Sequence, residues 1–301
     1  MISVQNVSKR FDRILALDAV SLVLRPGDRV AIVGTNGSGK TTLLRALCGL
    51  LRVEGRIEVF GTDVARNPEI ALRSLAYMPQ IAPPLEAPVS ELVRAFCALR
   101  DRPPEQVAKR ARRLGLDLSA VGGKRVRDLS GGMKQKLLAA MALTAEAPVL
   151  VCDEPTANLD PRARAAFFEE VNARPESSIL VLCSHRVDEV RHLVDRVVEL
   201  KEGRVARDAP LSDLLTTLRA FRVELTFREP PTTESELASL VDRGFTEVMP
   251  GRFQGVFEQA EKVEVVGGVV SEFGDHLLDL SVLDAESLHE PAPVVPLRRV
   301  G

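Results

Sequence analysis

Hydrophobic positions in roughly the first two hundred residues follow two alternating patterns. Short β-rich runs recur at 2–7, 20–25, 28–33, 56–60, 75–78, 148–152, 178–183 and 195–200, and several (AIV, VLVC, ILVLC) are apolar throughout. Such runs predict strands covered on both faces, as in a mostly parallel sheet. Helical patterns lie between them at 39–50, 130–145, 161–173 and 186–193. Between Gln80 and Asp128 only helical pattern appears, near 89–100 and 104–114. That predicts a helical subdomain over about 81–145, inserted in an α/β domain spanning 1–208 with an antiparallel β edge.

The pattern changes after Arg207. Residues 209–220 read as a linking helix. There follow a strand (221–227), a helix (233–244), short strands around 247–249 and 254–258, a helix from Ala260 and a strand (276–282). The order βαββαβ predicts a small ferredoxin-like α+β unit over 221–290, although EVVGGVV fits strand as well as helix. The Pro-rich tail, 291–301, is expected to fray.

Composition narrows the class of protein. A hydrophobic content of 45% and a charged content of 27% are ordinary for a soluble globular chain of 301 residues. The net charge of −2 provides no dominant basic surface for nucleic acid. The longest apolar runs, Leu137–Leu143 and Ile179–Cys183, are far shorter than the ~20 residues of a membrane span, and the N-terminus shows no leader pattern. Cys48, Cys97, Cys152 and Cys183 lie in apolar stretches without CxxC spacing and read as buried free thiols of a reducing compartment.

Chemistry concentrates at a few strand ends. Residues 34–41, GTNGSGKT, match G-x-x-x-x-G-K-[ST] between an apolar strand and a helix. Gly34, Thr35, Asn36, Gly37, Ser38 and Gly39 are expected to turn backbone N–H groups toward a phosphate, with Thr42 beside them. Lys40 is expected to reach the β- and γ-phosphates, and the Thr41 hydroxyl to ligate Mg²⁺. VLVCDE ends a strand in two acids: Asp153 suits support of Mg²⁺, and Glu154, pointing the other way, suits a base for the attacking water. Gln80 closes LAYMPQ and fits either a contact to Mg²⁺ and lytic water or a plain loop position. His185 closes ILVLCSH and fits a γ-phosphate contact or a satisfied core histidine. Phe11 fits a ring under adenine or a core residue, and either reading buries it. In LSGGMKQK, residues 129–136, Ser130 reads as an N-cap, leaving Gly131 and Gly132 with bare N–H groups at an anion-favouring helix end. Asp160 before Pro161 reads as another N-cap.

Taken in order, Phe11, GTNGSGKTT, YMPQ, LSGGMKQK, VLVCDEPTANLDP and LCSH resemble the ATP-binding subunit of ABC transporters over roughly residues 1–208. The departures are Phe for the usual Tyr at 11, Cys152 where Leu is commoner, and a slightly shortened 51–55 stretch. The resemblance implies a P-loop ATPase using MgATP. Phe11 stacks on adenine, Gly34–Thr41 hold the phosphates, Gln80 senses and couples, and Asp153 supports Mg²⁺. Glu154 is the catalytic carboxylate, Asp160 belongs to a dimer-contact loop, and His185 is the switch histidine. A second copy of the chain then supplies Ser130, Gly131 and Gly132 in trans. A separate membrane permease is the other partner, with the chain cytoplasmic and peripheral on the inner membrane face. Within the family, the pattern is most similar to exporter-type ATPases, nearest to that of the transporter serving nitrous-oxide-reductase maturation and copper processing. An importer ATPase with a regulatory C-terminal unit is the alternative, and a soluble ATPase of ribosome or DNA a more distant one.

Overall fold

A computed structural model describes residues 1–184, 191–213, 220–258 and 261–284. The chain divides into two compact units, Met1–Leu211 and Ser212–Gly301.

The first unit is built on two sheets. An antiparallel sheet contains β1 (Ile2–Phe11), β2 (Ile14–Leu24), β4 (Glu54–Val59) and β5 (Thr62–Asp63), in the order β2-β1-β4-β5. The second sheet contains β3 (Arg29–Val33), β6 (Leu75–Met78), β7 (Val149–Asp153), β8 (Ile179–Cys183), β9 (Arg196–Lys201) and β10 (Arg204–Pro210), in the order β10-β9-β3-β8-β7-β6. Five of its strands run parallel and β10 pairs antiparallel at the edge. Every residue of β7 and β8 is buried, as strands covered on both faces require. The core joins Leu43, Leu44 and Leu47 of α1 (Lys40–Leu47) to both sheets. Helices α2 (Pro68–Arg73), α3 (Val89–Arg100), α4 (Pro104–Arg113), α5 (Leu118–Val121), α6 (Gly131–Thr144) and α7 (Pro161–Asn172) also belong to this unit.

Three segments differ from the sequence expectation. The runs at 2–7 and 20–25 belong to one long hairpin, closed where Phe11 pairs with Ile14. Register shifts along the pair, with Asn6 and Ala19 at positive φ, break the two-residue alternation that would have revealed its length. Residues 209 and 210, expected in a linking helix, close β10, whose burial alternates along an exposed edge. Residues 211–213 are helical, and 214–219 lie outside the described residues, as does most of the helix expected at 186–193.

The second unit has β11 (Ala220–Phe227), α8 (Glu234–Asp242), β12 (Thr246–Met249), β13 (Arg252–Glu258), α9 (Lys262–Phe273) and β14 (Leu277–Asp284). Its antiparallel order, β12-β13-β11-β14, is that of a ferredoxin-like sheet. EVVGGVV lies in α9, where Val269 and Phe273 turn into the core. Six of the chain's 11 phenylalanines fill that core, Phe227 meeting Phe253 and Phe273 edge to face. Gly255 is required there, because a Cβ would stand 2.4 Å from the Phe257 ring. A capping box of Thr233 and Glu236 starts α8.

Phe167 on α7 is fully buried. Phe167→Ala is expected to cost about 3–5 kcal/mol, read as a lower denaturant midpoint at unchanged slope.

Candidate nucleotide site

The loop between β3 and α1 is shaped by its glycines. Gly34 has φ +144°, and a Cβ there would lie 2.2 Å from the Leu200 carbonyl oxygen; Gly39 has φ +104°, with Ala16 O at 2.4 Å. Both positions combine a left-handed backbone with contact against another strand, which excludes any side chain. Lys40 curls back over the loop and donates from Nζ to Gly34 O at 2.8 Å and Thr35 O at 2.9 Å. It is 8% exposed and has no ion-pair partner among the described residues. A nearly buried ammonium held only by carbonyls leaves positive charge at the cavity for an anion.

One residue on, Thr41 Oγ1 donates to Asp153 Oδ1 at 3.3 Å, joining α1 to the end of β7. Asp153 is 1% exposed, and its Oδ2 has no hydrogen-bond partner among the described residues; the buried Ser38 hydroxyl also has none. Orphaned acceptors of this kind are rare in folded chains and call for a bound group. The hydroxyl of Thr41 and the carboxylate of Asp153 are hard oxygen donors of the kind Mg²⁺ takes, so the residues fit that ion. The nearby thiols do not compete. Burial, reinforced by Asp153, raises the Cys48 thiol to about 12 and pushes Cys183 higher, so both stay protonated. All four cysteines are free and buried.

Glu154 follows at φ +49° and 7% exposure, its N–H donating to Cys183 O at 2.9 Å. Strand alternation would send Glu154 to the face opposite Asp153. The left-handed turn brings both acids to the same cavity instead, a conformation that costs roughly 1–3 kcal/mol and persists where surrounding structure enforces it.

The resulting cavity of about 310 Å³ is lined by Asn36, Gly37, Gly39, Lys40, Thr41 and Thr42, with Asp153 and Glu154 on one wall. Gln80, exposed just beyond β6, and Phe11, at the tip of the β1–β2 hairpin, border it. Phe11 is 43% exposed, so its ring stands open beside the cavity, which overturns its reading as a core residue. Lys9 Nζ sits 5.1 Å from that ring's centroid. Ile14, Ala16 and Cys183 also line the cavity, and sequence reasoning missed them. Recognising the full length of β2 would have found the first two. His185 lies outside the described residues.

Ser130, Gly131, Gly132 and Asp160 do not line this cavity. Ser130 caps α6, its Oγ accepting from Met133 N–H at 3.3 Å. Asp160 caps α7 by accepting from Ala163 N–H at 2.9 Å, and its other oxygen meets Lys136 Nζ at 2.6 Å. Lys136, followed by the cap, holds the Asp160 carboxyl below the usual range.

A glycine-rich loop between strand and helix, with an acid-ended strand two places away in a parallel sheet, defines a P-loop nucleotide-binding fold. More narrowly, the chain belongs to the ATP-binding proteins of ABC transporters. The family profile described as ABC transporter matches residues 17–157. The chain is 32% identical over 274 residues to "Daunorubicin resistance ATP-binding protein DrrA3" of Streptomyces coeruleorubidus, covering 89% of this chain and 86% of that protein. It is 30% identical over 256 residues to "Nod factor export ATP-binding protein I" of Paraburkholderia xenovorans (strain LB400), covering 80% and 82%. A solved "Structure of ATP binding subunit of ABC transporter" superposes with a TM-score of 0.64 at 28% identity, covering 71% of this chain and 91% of the other. Members of the family are ATPases whose cassettes dimerise and work with transmembrane subunits. No described helix is long and apolar enough to cross a membrane.

Gly39→Ala forces a side chain against Ala16 O at positive φ. ATP affinity measured by calorimetry is expected to fall at least about tenfold, roughly 1.4 kcal/mol, with a lowered melting temperature.

Proposed function

We propose that this chain hydrolyses MgATP as one of two identical subunits driving a separate membrane permease, and that the transport is export. The observation that carries the proposal is the orphaned Oδ2 of Asp153, which bonds Thr41 through its other oxygen and lines the same cavity as Lys40. In this reading the loop N–H groups and Lys40 hold the β- and γ-phosphates. Thr41 and Asp153, with Gln80, hold Mg²⁺, which when bound neutralises developing phosphate charge. Glu154 accepts the proton of the attacking water. Phe11 stacks on adenine from the open hairpin tip. His185 is the expected γ-phosphate contact at the end of the strand before it.

Ser130, Gly131 and Gly132 stand away from their own chain's cavity, so a two-fold dimer is needed to bring this helix end to a nucleotide. Each α6 N-terminus then faces the γ-phosphate held by the partner, and Asp160 lies in the contact loop. Export is supported by the Nod factor export relative. The narrower likeness to the nitrous-oxide-reductase maturation ATPase rests on residues outside the site.

Glu154→Gln is expected to lower turnover by about 100-fold or more, at least ~2.7 kcal/mol of barrier. Wild-type turnover in that variant would remove Glu154 as the base. Ser130→Arg is expected to bind ATP normally, measured by fluorescence titration, while losing hydrolysis and ATP-dependent dimerisation by light scattering. Normal dimerisation and hydrolysis in Ser130→Arg would exclude the trans arrangement. Co-purification of the chain with a membrane subunit tests the permease.

A further inference from the structure

The first turns of α6 make a second set of contacts that its capping role does not need. Gly132, Gln135 and Lys136 lie at positions i, i+3 and i+4 and so share one helix face. That face meets the loop running from Glu154 to Asp160. Gly132 approaches so closely that a Cβ there would stand 3.0 Å from Asn158 O. The Gln135 amide, 2% exposed, donates from Nε2 to Pro155 O at 3.3 Å and lies 3.5 Å from Glu154 O. Lys136 holds the far end of the loop through Asp160 Oδ2 at 2.6 Å.

These contacts bear on the backbone conformation of Glu154. Its left-handed φ turns the carboxylate into the cavity, and its N–H is tied to Cys183 O on β8. On the other side of the residue, the carbonyls of Glu154 and Pro155 are met by a single buried amide. Ala157 N–H also reaches Glu154 O, at 3.3 Å, but that bond is local to the turn. Gln135 therefore supplies the link from a rigid helix to the two peptides that set the direction of Glu154.

We infer that Gln135 is a positioning residue for ATP hydrolysis, holding Glu154 in its left-handed conformation by bracing the carbonyls of residues 154 and 155. The inference rests on the reading of Glu154 as the base. Gln135 touches no substrate and acts only through Glu154, so its loss should affect turnover and leave nucleotide binding intact.

The test uses the purified chain carrying Gln135→Met, which keeps length and removes the donor, and Gln135→Asn, which keeps the amide but shortens its reach. Expected are a kcat lowered about tenfold, with KM for ATP, ADP affinity and melting temperature close to those of the unaltered chain. In the Glu154→Gln background the same substitutions should lower the residual rate no further, since both act on one group. An unchanged kcat overturns the inference. So does a parallel loss of ATP affinity and thermal stability, failure of both variants to fold, or a fully additive loss on top of Glu154→Gln. Wild-type turnover in Glu154→Gln alone would refute the base and with it the premise. Loss in Glu154→Gln with unaffected Gln135 variants would refute only the positioning role.

Discussion

The site depends on one hydrogen bond that spans the centre of the parallel sheet. Thr41, at the start of α1, reaches Asp153, at the end of β7, although β8 separates β7 from the strand that feeds α1. Register makes the contact possible: Asp153 is level with Cys183, and Cys183 with Ile32, two residues before the glycine loop begins. A slip of one residue would carry the carboxylate to the other face of the sheet. The register is held by unbroken parallel pairing of β8 with β3 on one side and β7 on the other.

Burial then determines the chemistry. Among the described residues, the nearly dry environment that raises the cysteine thiols also leaves Lys40 with carbonyl partners alone and Asp153 with a spare acceptor. Positive charge and an unfilled oxygen thus belong to residues lining one small cavity, an arrangement costly in isolation and favourable around a metal-bound polyphosphate. Glu154 adds a left-handed turn at the same place. An unsatisfied carboxylate oxygen and a left-handed acid thus adjoin at one strand end, against an apolar core.

Much of this was legible in the chain. GTNGSGKT could be placed between strand and helix because apolar runs bracket it, and VLVCDE could be placed at a strand end because two acids stop an all-apolar run. The βαββαβ order of the second unit followed from its periodicities. The long hairpin was not legible: its irregular register shifts break the alternation. Phe11 stands exposed at the hairpin tip rather than in the core. The edge strand β10 was hidden as well, since RVARDAP has one face in solvent and ends in proline.

The sequence by itself determined which residues could handle phosphate, because glycine spacing, a following lysine and a strand-terminal acid are local requirements of backbone and charge. Tertiary structure decided how they meet. It set Asp153 against Thr41 across β8, turned Glu154 back to the same cavity, and kept Ser130 and its glycines away from it. It also laid Gln135 against the Glu154 backbone. Those outcomes depend on register, packing and a single left-handed residue, each fixed by contacts between segments more than ten residues apart.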